Sequence, residues 1–160
     1  MPIRALYIGE PPWRDIAGQR CIKYGSVRVA AGIAHPWVAW AVRTMAGTLR
    51  SDEPLVDIRW WPMLSVGDIP GVPGWHYDVF NRPGDIVGDH RLYFYGAGCC
   101  TEFRDGFGEE GWVHAYGHSD EHRISPAKSK GPRLLIRVSH TTIRPSNRVY
   151  SVAHIVKATA

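Results

Sequence analysis

Val56-Asp57-Ile58-Arg59-Trp60-Trp61 alternates apolar and polar side chains and stops at Pro62. A half-buried strand has this period of two. Turn chemistry follows in Pro70-Gly71-Val72-Pro73-Gly74, and the chain then reads Trp75-His76-Tyr77-Asp78. Residues two apart on a strand face the same way. His76 and Asp78 can therefore aim an imidazole nitrogen and a carboxylate oxygen at one point.

The same texture continues to the C-terminus. His90–Gly96, Gly111–Tyr116 and Arg133–Ser139 read as strands, and Arg148–Val156 closes the chain as one more. Turn signals separate them at Arg82-Pro83-Gly84-Asp85, Asp105-Gly106 and Lys130-Gly131-Pro132. Many short strands at regular intervals predict a sandwich or barrel, with residues 56–156 forming most of two facing antiparallel sheets. Residues 1–34 read as short strands and turns, with strands at Arg4–Ile8 and Ser26–Ala30. From Pro36 to Leu49 the spacing of Trp37, Trp40, Ala41, Met45 and Leu49 predicts the one substantial helix, packed outside the sheets, and Pro36 suits its first turn. No internal repeat or linker divides the chain, so residues 1–160 are expected to form a single domain.

Composition narrows the function. Apolar residues make up 44% and charged residues 21%, which is ordinary for a globular protein. Net charge is +4, which suits an anionic partner, but no Lys/Arg run marks a nucleic-acid tail. Nucleic acid is therefore weakly supported as a partner. Cys21, Cys99 and Cys100 make an odd count with an adjacent pair, not a disulfide framework. No secretory signal or membrane span is visible, so a cytoplasmic location without a membrane partner is expected.

A third ligand from a distant strand would join His76 and Asp78 on one face of a metal ion and leave the opposite face open. That is the two-His-one-carboxylate set of non-haem Fe(II) oxygenases. The segment from Val56 through the Pro/Gly loop to His76-Tyr77-Asp78 resembles the Fe(II)/2-oxoglutarate dioxygenases, in which a strand carrying an Arg and aromatics leads to H-x-D. Gly98-Cys99-Cys100-Thr101-Glu102-Phe103 looks like their T-x-F segment. His122-Arg123-Ile124-Ser125-Pro126 followed by Gly131-Pro132-Arg133 to Arg137-Val138-Ser139 looks like their distal H-R-V-x-P and R-x-S. The resemblance covers about residues 56–140, and suggests a small phage- or bacterial-type member.

The resemblance implies a mainly β chain folded as a double-stranded β-helix, jelly-roll or cupin-like, with one flanking helix. It implies Fe(II) held by His76, Asp78 and His122, with His118 the rival for the third position. It also implies 2-oxoglutarate as co-substrate, held by Arg133 or Arg137 near Ser139, since an Arg fork matches a carboxylate. The sequence leaves the substrate open; the basic balance and the aromatics admit a small-molecule or nucleobase-like one, with Trp60, Trp61 and Trp75 as a stacking wall or as core. Glu102 is a candidate further ligand. The rival expectations are a non-catalytic cupin-like binding or assembly module of phage type, and a zinc or manganese cupin without 2-oxoglutarate.

Overall fold

The computed structural model describes residues 2–79 and 83–158. In chain order the elements are β1 (Ile3–Tyr7), β2 (Cys21–Ser26), α1 (Val27–Ile33), α2 (Pro36–Gly47), β3 (Leu55–Leu64), β4 (Ile69–Pro70) and β5 (Val87–Tyr95). Then come β6 (Thr101–Phe103), β7 (Gly106–Phe107), β8 (Trp112–Tyr116), β9 (His122–Ile124), β10 (Gly131–Thr141), β11 (Arg148–Tyr150) and β12 (Ile155–Val156). The chain is mainly β, with antiparallel sheets and two helices. A seven-stranded sheet runs β1-β8-β5-β10-β3-β2-β11, a three-stranded one β7-β6-β9, and β12 pairs with β4.

Period-two patterning decides which face of the large sheet meets the helices. Leu134, Ile136 and Val138 of β10, Val56, Ile58 and Trp60 of β3, Tyr93 of β5 and Val113 of β8 are buried together with Ala30 of α1 and Val38, Ala41, Val42 and Met45 of α2. Each fully buried aliphatic side chain contributes roughly 1.5–3 kcal/mol, so this face is the main source of stability. The alternate residues point the other way, and they are unusually polar: Asp57 and Arg59 on β3, His90 on β5, Arg133, Arg137 and Ser139 on β10. The three-stranded sheet packs over that second face, where Phe103 of β6 joins Leu92, Phe94 and Tyr116 in a smaller apolar cluster.

The expected strand at Ser26–Ala30 is a correction: α1 occupies Val27–Ile33. The alternation of Val27 and Val29 imitated a strand. Ser26 instead has extended backbone and its hydroxyl accepts from the Val29 N–H at 3.2 Å, which caps a helix. The single closing strand expected over 148–156 is split into β11, on the large sheet, and β12, on β4, with a bend at Ser151 and Val152 between them. The expected stop at Pro62 does not occur. β3 continues to Leu64, and the register slips opposite it between Gly131 and Arg133. Pro62 has no N–H to donate, and an irregularity in the ladder is where a strand tolerates that. α2 ends at Gly47, slightly short of the expected Leu49. Within the turn read at 82–85, Arg82 lies outside the described residues.

Gly96 closes β5 with φ +113°, and a Cβ there would lie 2.1 Å from the Pro132 carbonyl oxygen. Backbone atoms on both sides make this contact hard to relieve. Gly96→Ala should therefore lower the unfolding free energy by about 2 kcal/mol or more. Denaturant unfolding measures it, and a midpoint equal to that of the unsubstituted chain would contradict the reading.

Candidate metal centre

Two short segments 46 residues apart build the site. The His76 N–H donates to the His122 carbonyl and the His122 N–H to the His76 carbonyl, both at 2.9 Å. This is a hydrogen-bonded antiparallel pair, so the two side chains stand side by side on one face. Their rings lie 4.6 Å apart at 61°. β9 is held in turn by β6, with Phe103 opposite His122. Asp78, two residues beyond His76, returns to the same face. One ligand atom from each of His76, Asp78 and His122 lies within 4.8 Å of the others, so this buried group can hold a metal ion.

The ring nitrogens are sorted by the backbone. His76 Nδ1 lies 2.9 Å from the Gly74 carbonyl oxygen, and His122 Nδ1 lies 3.0 Å from that of Asp120. A carbonyl only accepts, so each Nδ1 carries a proton and donates it. Each neutral ring then offers its Nε2 lone pair to the shared space. His122 Nε2 is 3.1 Å from Asp78 Oδ2, and His76 Nε2 is 4.0 Å from Asp78 Oδ1. Ligands on one face of an ion with bonds of about 2.1 Å stand about 3 Å apart, so His122 and Asp78 already fit, while the other pairs, within 4.8 Å, have to draw together.

The carboxylate is held from behind. Arg137 Nη1 lies 2.5 Å from Asp78 Oδ1, and the Tyr116 hydroxyl donates to Asp78 Oδ2. Arg137 Nη2 donates to Asp57 Oδ2 at 2.7 Å, and Asp57 Oδ1 accepts the Tyr24 N–H at 3.0 Å. Burial would raise the Asp78 pKa, but the charge of Arg137 and the contacts from His122 and Tyr116 outweigh it and hold the carboxyl well below its usual range. Burial and the Asp78 charge keep Tyr116 protonated as a donor, far above its ordinary pKa. Burial pulls His76 below its ordinary value. It also acts on His122, but there the Asp78 hydrogen bond and charge win and the pKa rises. Behind Tyr116, burial and Arg137 push His90 down to about 3, and its Nδ1 lies 2.7 Å from Ser139 Oγ.

A small cavity of about 40 Å³ borders the three residues, walled by Leu92, Thr101, Ile124 and Leu135, with Arg59 and Arg137 among its lining. His118 stands outside the group, its ring 6.2 Å from His90 and 6.4 Å from Tyr77. Ser139 bonds His90. Arg133 is fully buried away from the cavity lining, donating to the Cys99 carbonyl at 3.0 Å and lying over the Phe94 ring at 5.0 Å. Glu102 pairs with Arg123 at 2.7 Å. Trp60 and Trp61 are core residues, and Trp75 packs against the Arg104 and Arg123 guanidinium groups, so no wall of three indoles faces the cavity. Asp57, Tyr116 and Thr101 are site residues that motif reading gave no role. Asp57 carried a signal, since it shares a strand face with Arg59 in the opening alternation.

No protein-family model, curated protein or solved structure matches this chain. Among the described residues no helix is long and apolar enough to cross a membrane.

Asp78→Ala should abolish tight metal binding, because it removes the only carboxylate of the group. Metal content after reconstitution and desalting measures this, and stoichiometric metal in the variant would place the centre elsewhere. Arg137→Met leaves Asp57 and Asp78 as uncompensated buried charges and should destabilise the fold by about 3–5 kcal/mol. Denaturant unfolding at neutral pH reads that loss.

Protons compete with metal for His122, whose raised pKa lets it keep its proton to higher pH than a free imidazole. Metal affinity should therefore fall as the pH drops, with the fall beginning above about 6.5, the ordinary histidine value. Competition titrations across that range measure it. An affinity flat down to about pH 5, where ordinary histidines are protonated, would contradict ligation by His122.

Proposed function

We propose that this chain is an Fe(II)- and 2-oxoglutarate-dependent oxygenase, most simply a hydroxylase, built on a double-stranded β-helix. The observation that carries the reading is the His76–Asp78–His122 group: two imidazole nitrogens and one carboxylate on one side of a cavity. Such a set occupies one face of an iron ion and leaves room for co-substrate and O₂. The order of the strands supports the fold. From β3 to β10 the chain alternates between the large sheet (β3, β5, β8, β10) and the smaller side (the His76 segment, β6 with β7, β9). That alternation is how a double-stranded β-helix winds.

When bound, Fe(II) would supply the chemistry by which O₂ converts 2-oxoglutarate to succinate and CO₂ and places one oxygen atom in a C–H bond of the substrate. The chain's residues do the rest. The Nδ1 protons of His76 and His122 are tied to carbonyls, so Nε2 is the atom each ring would turn to the ion, His122 after giving up the proton it shares with Asp78. Tyr116 and Arg137 fix the Asp78 carboxylate and keep it ionised. Leu92 and Leu135 give the cavity apolar walls that exclude water. Arg59 of β3, whose side chain lines the cavity, supplies positive charge for an anionic co-substrate.

A second reading, a metal-free binding or assembly module, is favoured by one observation: Asp78 already contacts Arg137, Tyr116 and His122 and is satisfied without an ion. One experiment separates the two. Anaerobic protein receives Fe(II) and 2-oxoglutarate and is then exposed to O₂, and succinate is measured. The oxygenase reading expects succinate in excess of the iron-only control and none from Asp78→Ala. No succinate from iron-loaded protein leaves the module.

A further inference from the structure

Three guanidinium groups line the cavity beside the candidate metal centre, those of Arg59, Arg123 and Arg137. Their charges differ in how they are used. Arg137 is paired with both Asp57 and Asp78, and Arg123 with Glu102. The side chain of Arg59, on β3, has no hydrogen bond or ion pair among the described residues. Arg133 also lacks a carboxylate partner there, and its Nε and one Nη have no acceptor, but it is shut away from the cavity. It sits opposite Trp61, with its guanidinium over the Phe94 and Trp61 rings at 5.0 and 5.9 Å.

We propose that Arg59 is the carboxylate-binding residue of this cavity, pairing with the carboxylate of a small acid at the end remote from the His76–Asp78–His122 group. The assignment rests on the oxygenase reading, in which that acid is 2-oxoglutarate. It differs from the sequence expectation, which put this task on Arg133 or Arg137.

Register places Arg59 suitably. On the inward face, Asp57 lies opposite Arg137 and Arg59 lies opposite Leu135. Arg59 therefore stands one step along the strand, about 6.8 Å, from the layer that holds Asp78 through Arg137. A five-carbon dicarboxylate has a comparable length. One end can meet the metal group while the other reaches the guanidinium. The turn after β4 passes close to this guanidinium, since a Cβ on Gly71 would come 3.6 Å from Arg59 Nη1, an ordinary contact distance. Gly71 has φ +107°, a conformation side chains disfavour, so the turn after β4 favours a glycine beside the guanidinium. Thr101, from the three-stranded sheet, lines the same cavity and adds a hydroxyl donor. A guanidinium fork with no side-chain partner among the described residues suits a planar carboxylate.

The test is calorimetric titration of Mn(II)-loaded protein, in which no turnover occurs. The ligands are 2-oxoglutarate, succinate, and pyruvate, a 2-oxo acid without the distal carboxylate. Arg59→Gln should weaken 2-oxoglutarate about tenfold or more, the loss of a charge-assisted pair, and leave pyruvate unchanged. Arg59→Lys should fall between, keeping charge without the fork. Arg133→Gln should leave 2-oxoglutarate binding unchanged. Thermal unfolding of each variant shows whether a loss is one of folding, and Arg59→Lys carries the test if Arg59→Gln does not fold. Tight 2-oxoglutarate binding indifferent to Arg59 overturns the assignment and leaves the oxygenase reading standing. Succinate binding as tightly as 2-oxoglutarate, with the same dependence on Arg59, upholds the carboxylate site and overturns the oxygenase reading. Binding of neither acid overturns both.

Discussion

A buried chain of charge, Asp57–Arg137–Asp78, ties the candidate metal centre to the large sheet. Arg137 is almost wholly inaccessible, and its positive charge is sustained against burial by the two carboxylates. Isolated charges of this kind are too costly to bury, so each member requires the others. Asp57 belongs to β3, Arg137 to β10, and Asp78 to the segment after β4. The chain thereby fixes a residue outside the strands to the centre of the sheet. Asp78 can face His76 and His122 only while Arg137 stays in place, and Arg137 stays because Asp57 holds its other nitrogen.

The division of the sheet into two chemical faces follows from the same alternation. One face of β3 and β10 is aliphatic and takes the helices, while the other carries Asp57, Arg59, Arg133, Arg137 and Ser139. An interior this polar is expensive and contributes little to stability. Its cost is offset by the apolar face, and its value lies in chemistry: ionised groups in a sparsely hydrated space interact strongly with a ligand that completes their charge. His90 fits this picture, since burial and Arg137 push its pKa down to about 3 and it adds no further positive charge at neutral pH.

Parts of this were legible in the sequence. His76 and Asp78 share a face because they are two apart on an extended segment, and the H-R-x-x-P context singled out His122, which the backbone pairing with His76 places beside them. What could not be read was cross-strand register. Nothing local says that Asp57 lies opposite Arg137 rather than one residue away, and a slip of one would put the two on opposite faces of the sheet. Tyr116 escaped for the same reason, since its contact with Asp78 spans 38 residues. Arg59 was visible only as part of a motif. That its side chain has no partner among the described residues is a fact of three-dimensional packing. At α1 local patterning misled, because Val27 and Val29 alternate as strand residues do and the Ser26 cap decides otherwise. The tryptophans divide by burial, Trp60 and Trp61 into the core and Trp75 onto two arginines, a distinction composition does not contain.

One ion bound by His76, Asp78 and His122 is the centre of the proposed chemistry. Anomalous diffraction from crystals grown anaerobically with Fe(II), collected at the iron edge, tests it most directly. The expected result is a single strong peak about 2.1 Å from His76 Nε2, His122 Nε2 and one Asp78 oxygen, with Arg137 still joined to Asp57. A peak at any other set of residues, or no peak while Asp78 remains paired with Arg137 and His122, would contradict it.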